Sequence, residues 1–557
     1  MLDIFFNSII SSFTLIAAGF FYKKKKNLEI SDICEKAFFG AIILAFLSLT
    51  LNFIFPIDRT LSNLVFIFLI ILFIFKNFKN YNNHKNVFLT VLCTGLITTL
   101  IITLDNIYRP DAGLYHLPYT NIINQNNVII GLANIHFRFG HISIIQYLNA
   151  IFNNSILENH GILLPVASIF SFFLVYLIQQ IIKNIGNKIL CTFLFFIFTY
   201  TLYGYNRYGE FGNDALAHIY LILVFIFYLK DFNKKNINID LINKLFLFSI
   251  FSFLQKPTML IGIFIPLYCF FLFKEKLKLI NFSNLFTSIF FFFWLIKNIL
   301  ISGCLIYPAS ITCFERLSWY ANDKNYQISA TYQSLENEAW SKGWPDKKNS
   351  GIDFEQYNKN FNWVKTWFPN HGMQIIKKLS PFILFILIFL YLIKKNKKKN
   401  NSINKNISIL LFIAVTGTLL WFVRFPTYRY GSSYIILTII LINIYFFEKN
   451  YEFINLSKFK KKIFIFMIIF LSFFALKHAI RIIKNFNLKY YDYPWPKIYG
   501  DNFDNYKQKS KPILNNKKII YYESNTICMY SESPCTHFDI KYIKYSEKFI
   551  FKIFDIK

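Results

Sequence analysis

The sequence predicts an all-α polytopic membrane protein of about fourteen transmembrane helices, with outer-side loops and a small C-terminal outer domain. Three observations predict it. Apolar runs are too many for a soluble core, lysines concentrate in alternate connections, and the chemically rich residues gather in the remaining ones.

Composition bounds the class. Of 557 residues, 55% are hydrophobic and 20% aromatic, and only 16% are charged. Soluble domains carry about a quarter charged residues. Apolar runs such as 64–75 and 381–393 recur as far as about residue 480. With their flanks, many approach the roughly 20 residues that cross a bilayer. A formal charge of +30 would point to nucleic acid in a soluble protein. Here much of it sits in short lysine-rich connections between apolar runs, and no zinc finger, helix-turn-helix or stacking platform accompanies it. Nucleic acid is therefore not an expected partner; the lipid bilayer is.

The expected spans are 2–22, 37–55, 62–76, 87–104, 161–182, 188–203, 215–229, 243–255, 258–273, 284–300, 379–393, 406–422, 430–447 and 463–480. The first lacks a basic leader and is followed by Lys23–Lys26, so it reads as a retained span rather than a signal peptide. Segment 243–255 is short and can form a broken hairpin with its successor around Pro257. With this count, the lysine clusters after 22, 76, 182, 229, 273, 393 and 447 all fall on one side. Short loops rich in Lys mark the cytoplasmic side. The expected location is the inner (plasma) membrane of a bacterium, with both termini outside the cytoplasm. Residues 1–480 form the membrane domain, with outer loops 105–160, 204–214, 301–378 and 423–430. Residues 481–557 form the extracytoplasmic domain.

Cysteines fit that map. Cys304 and Cys313 lie in the large outer loop, and Cys528 and Cys535 in the outer tail. Each pair is close in sequence in an oxidising compartment, which predicts two local disulfides. Cys34, Cys93, Cys191 and Cys269 read as small packing residues. No Cys-x-x-Cys or His cluster marks a metal site.

Five outer segments carry polar chemistry. In the first, Asp111 follows a span end, with Arg109, Tyr115, His116 and Tyr119 beside it. A helix N-cap would explain the aspartate alone. Its company favours a general base for a hydroxyl acceptor. In the second, Glu210 and Asp214 stand four apart near a span end, with His218 following. Carboxylates there face water or a partner, or cap a helix. In the third, Lys256 precedes Pro257, and Lys297 is its isolated counterpart. Both can snorkel to the interface, and Lys256 can also meet a phosphate. The fourth is the turn with Trp421, Arg424, Pro426, Arg429 and Tyr430. Its aromatics match an interfacial belt. The fifth holds His136 and His141, five apart rather than four, which is poor metal spacing and reads as a surface helix.

Arginine usage adds a signal. Of 60 basic residues, only Arg59, Arg109, Arg138, Arg207, Arg316, Arg424, Arg429 and Arg481 are arginine. The expected topology puts all eight outside or at the outer boundary. Guanidinium offers phosphate or carboxylate a planar fork where lysine offers a point charge.

Taken together, Asp111-Ala-Gly-Leu-Tyr-His116, the acidic turn with Glu210 and Asp214, and Pro426 to Tyr430 resemble the GT-C superfamily of polytopic glycosyltransferases. The stretches 109–119 and 302–314 also resemble an uncharacterised family of bacterial multi-span proteins. The resemblance covers the span order of residues 87–447. It implies a polyprenyl-phosphate-linked sugar as donor, a glycan or lipid acceptor, and chemistry on the outer side. It makes Asp111 the base, supported by Glu210 or Asp214, with Arg424, Arg429 and Lys256 holding the leaving phosphate and Arg109, Tyr115, His116 and Tyr430 lining the substrate. Sugar transfer would invert the anomeric carbon. Two features depart from the pattern: four spans precede the aspartate loop rather than one, and the Asp-Glu pair of several members is missing. No cofactor is named by the sequence, and a divalent metal ion stays open. A surface-polysaccharide polymerase or ligase would use similar outer arginines. A flippase or transporter would favour mid-span charges and repeated halves, neither of which is found.

Overall fold

Helix formation follows the apolar runs. The structure is a computed structural model. It describes residues 2–22, 28–77, 81–104, 111–141, 143–158, 161–204, 212, 214–232, 239–273, 282–323, 326–344, 353–397, 404–486, 509–513, 517–521, 528, 530, 534–536 and 543–556. Arg109 and Glu210 lie outside these. Each expected apolar segment carries helix. Among the described residues, nine helices are long and apolar enough to cross a membrane. Arg59–Phe75, Lys188–Tyr203 and Pro257–Phe273 are shorter apolar helices. Asp214–Asp231 and Ile239–Gln255 are further helices, lined almost throughout by buried residues. The chain is a largely helical integral membrane protein.

Close packing has visible causes. Leu2–Gly19 lies against Ile30–Asn52, and glycine permits the approach. A Cβ on Gly40 would stand 1.8 Å from the Leu15 carbonyl oxygen, and one on Gly19 would stand 1.8 Å from that of Lys36. Small residues let helix backbones meet where lipid supplies no hydrophobic drive. Hydroxyl pairs tie neighbouring helices, Ser11 to Ser168 at 2.9 Å and Thr98 to Ser171 at 2.8 Å.

The contacts separate two ends. At one end Lys244 and Lys230 meet Glu35 at 2.6 and 3.6 Å, Lys183 meets Glu29, and Lys188 donates to the Ile454 carbonyl at 2.8 Å. Every lysine there belongs to a predicted lysine-rich connection. At the other end the chain is more elaborate. Residues 52 and 57 bond to the 123–128 segment, Gly131 N–H donates to Leu300 O, and the Trp319 indole donates to Ile299 O.

Two features differ from the sequence reading. The His136–His141 stretch is helical only as the short 3-10 turn Phe137–His141, and it is buried rather than lying on the surface, with His136 only 2% exposed. Its phenylalanines pack against His136 and bury it at the elaborate end. Short strands also occur: Lys394–Lys397 pairs with Tyr451–Phe453 at the lysine end.

At Pro257 the chain turns as a hairpin. Lys256 is extended, the tight helical segment Pro257–Ile263 follows, and the Ser249 hydroxyl reaches Gly262 O at 3.2 Å. Proline lacks the N–H that would continue the first helix. In the tail, Ile543–Lys548 and Phe551–Ile556 form an antiparallel pair that docks at the elaborate end, through a bridge from Ile553 to Ile130. Asn134 donates to Phe554 O at 2.8 Å, and Gly131, at φ +69°, leaves the room a side chain would take from that carbonyl. Cys304–Cys313 and Cys528–Cys535 are disulfide-bonded, as their spacing predicts.

Candidate functional site

Four segments, far apart in the chain, meet at the elaborate end. Residue 111 opens the turn after Tyr81–Leu104, residue 214 begins Asp214–Asp231, residue 256 sits in the hairpin, and residue 429 lies in the first turn of Tyr428–Asn450. Arg429 Nη1 bonds Asp111 Oδ2 at 3.1 Å, and its Nη2 bonds the Tyr430 hydroxyl at 3.1 Å. Lys256 pairs with Asp214 and also donates to the Arg429 carbonyl at 3.1 Å. Its ammonium lies 4.1 Å from the centre of the Tyr430 ring. Asp111, Asp214, Lys256, Arg429 and Tyr430 thus form one connected cluster.

The local structure speaks against plainer roles for two of them. Asp111 makes no side-chain cap bond to the turn Ala112–His116, so it is not an N-cap. Its carboxylate points across to another element instead. Lys256 does not snorkel, for its side chain is 8% exposed and held by Asp214. Asp214 begins its helix, where a carboxylate suits the dipole, and its Oδ1 also accepts from Lys256.

Tyr115 and His116 line the same site. Their rings stand 4.2 Å apart, and the Arg138 guanidinium lies 5.4 Å from the Tyr115 ring centre. Burial raises the Tyr115 hydroxyl above its usual range, with the Asp111 charge adding to it. Burial likewise lowers His116, to about 4, against the opposing pull of Asp111 and Asp214. His116 is therefore neutral at physiological pH, next to Gln146 at 3.4 Å. His218 bonds Ser433 Oγ at 2.8 Å and the Arg429 carbonyl at 2.9 Å, bracing the arginine-bearing turn.

Arg424 is elsewhere. It pairs with Glu338 at 3.4 Å, its side chain is 67% exposed, and Glu338 also holds Lys342 at 2.6 Å. The turn between Arg424 and Arg429 is locked by indoles: Trp421 donates to Thr427 O at 2.7 Å and Trp367 to Pro426 O at 2.6 Å. That lock sends the two arginines to different partners.

Sequence reasoning missed Trp340, Glu338 and Gln146. The Trp340 ring covers Arg429 at 5.2 Å from the large outer loop. Its helix, Ala330–Ser341, is too weakly apolar to stand out among loop residues. Lys297 is buried beside Trp294 and Tyr147, at 5.1 and 5.9 Å from their ring centres, rather than snorkelling. Among the described residues no group of three or more His, Cys, Asp or Glu could hold a metal ion.

The arrangement can do two things. Arg429 and Lys256 offer fixed positive charge to a phosphate or carboxylate. Asp111, partly exposed beside them, offers a carboxylate that can take a proton.

Comparison with curated proteins and with solved structures finds no match in either. A family profile described as a domain of unknown function (DUF8201) matches residues 1–436, a stretch that holds all four site segments. The chain belongs to that family, DUF8201.

Proposed function

We propose that the protein is an inverting membrane glycosyltransferase of GT-C type. It moves a sugar from a polyprenyl-phosphate donor to an acceptor hydroxyl on the extracytoplasmic side, in the synthesis of a cell-surface glycan or glycolipid. In this reading all fourteen apolar helices are spans, and the lysine end faces the cytoplasm of a bacterium. One observation carries the reading. A carboxylate and a guanidinium 318 residues apart in sequence meet at 3.1 Å, with Lys256 and Asp214 one bond further on.

The chemistry follows from the groups. Asp111 takes the proton of the acceptor hydroxyl. The acceptor oxygen bonds to the anomeric carbon from the face opposite the phosphate. The carbon–oxygen bond to the phosphate breaks, and its electron pair leaves with the lipid phosphate. Arg429, and Lys256 behind it, stabilise the charge that grows there. Burial keeps His116 neutral, so it adds no competing charge to the pocket.

Asp111→Asn keeps shape and hydrogen bonding but cannot accept a proton. In proteoliposomes supplied with polyprenyl-phosphate sugars, transfer by this variant is expected to fall by about a hundredfold or more. Near wild-type transfer by a well-folded Asp111→Asn protein removes Asp111 from the mechanism.

A further inference from the structure

In the resting site the charges are already matched. Arg429 holds Asp111 and Lys256 holds Asp214. An incoming phosphate reaches the charge of Arg429 or Lys256 only when the corresponding pair opens.

The two pairs are not equally able to open. Lys256, at 8% side-chain exposure, is closed in by Asp214, the Arg429 carbonyl and the Tyr430 ring. Asp111 is 44% exposed, and among the described residues its carboxylate bonds Arg429 alone. Arg429 is anchored without it. Its Nη2 is on Tyr430, its guanidinium is covered by the Trp340 ring at 5.2 Å, and its carbonyl is held by His218 and Lys256. Its buried Nε has no acceptor among the described residues, so one donor of the fork is left unsatisfied. The guanidinium is fixed and incompletely satisfied, while the carboxylate is loosely held. Asp111 also stands at the head of a widened, π-helical turn, Ala112–His116, a backbone form that is often found at functional sites.

We propose that Asp111 is the resting occupant of the anion position on Arg429, and that the donor phosphate displaces it. The base is then free only once the donor is bound, so donor binding precedes activation of the acceptor. This inference rests on the glycosyltransfer reading.

The charge balance agrees. A sugar phosphodiester brings one negative charge to the position that Asp111 vacates. During transfer the acceptor proton passes to Asp111 while the broken bond leaves its electron pair on the lipid phosphate. Phosphate gains one charge as Asp111 loses one. The total at the site is unchanged, and the growing charge faces the guanidinium that Asp111 has released.

The experiment measures binding of undecaprenyl phosphate to the purified full chain in nanodiscs, for wild type, Asp111→Asn and Asp111→Glu. Losing a competing, partly exposed ion pair worth up to about 1 kcal/mol tightens binding by roughly fivefold. Asp111→Asn is therefore expected to bind about fivefold tighter than wild type, and Asp111→Glu to match wild type. Should Asp111→Asn fail to give monodisperse protein, Asp111→Ser makes the same comparison. Equal or weaker binding by the uncharged variant overturns the displacement and leaves the lipid-phosphate reading standing. No binding by any of these proteins overturns both.

Discussion

At the scale of single residues, Arg429 and Arg424 show how a shared motif divides its labour. Both flank Pro426, and sequence alone gave them one role. The indole bonds from Trp421 and Trp367 fix the turn, so Arg429 reaches Asp111 and Arg424 reaches Glu338. Arg429→Lys keeps the charge but loses the fork. It is expected to weaken polyprenyl-phosphate binding by roughly tenfold, with Arg424→Lys changing it less. Equilibrium binding in nanodiscs checks the order of the two. His116 gives a pH signature. Its folded value lies near 4, below the ordinary 6.5, so between these values the unfolded chain binds more protons. Stability from this group is complete above about pH 6.5 and is lost as pH falls toward 4. The total is at most on the order of 3 kcal/mol. Thermal unfolding of wild type and His116→Gln across that window is expected to show the gap between the two narrowing as pH drops. That the charged residues at 111, 214, 256 and 429 have partners was legible because charges at span ends are costly without one. Which charge pairs with which was not legible, for that depends on tertiary placement. Trp340 carried no local signal at all.

At the scale of elements, the helices were the most legible part, since apolar length alone specifies a span. The lysine connections were legible for the same reason, and Glu35 with Lys230 and Lys244 now explains how one of those ends closes. The segments between the apolar helices were read less well. The His136–His141 stretch looks polar in sequence, yet His136 is buried beside Phe137 and Phe139, because outer-layer packing overrides local pattern. Close helix approach was also invisible, for a lone glycine does not announce its neighbour. Gly40 is the sharpest case. Gly40→Ala would force the Ile30–Asn52 helix away from the Leu15 carbonyl, since an added Cβ stands 1.8 Å from that oxygen. The expected loss is about 3 kcal/mol, seen as a lower unfolding temperature in detergent. An unchanged unfolding temperature would mean that these two helices can part at no cost.

At the scale of the whole molecule, the division of labour between the two ends is the main result. One end is tied by lysines to Glu29 and Glu35. The other carries the disulfide loop of Cys304 and Cys313, the docked C-terminal strands and the four-segment cluster. The family profile ends at residue 436, just beyond Arg429, so the family region contains the full cluster while the docked tail lies past it. A bundle that gathers acids and guanidinium at one end is what the proposed transfer from a lipid-linked donor requires. The most direct test is a structure of the protein in nanodiscs with undecaprenyl phosphate bound. The account predicts the phosphate within hydrogen-bond reach of the Arg429 guanidinium, close to Lys256, with the Asp111 carboxylate turned away from Arg429. A phosphate bound at the lysine end, or anywhere that leaves Asp111 on Arg429, would contradict it.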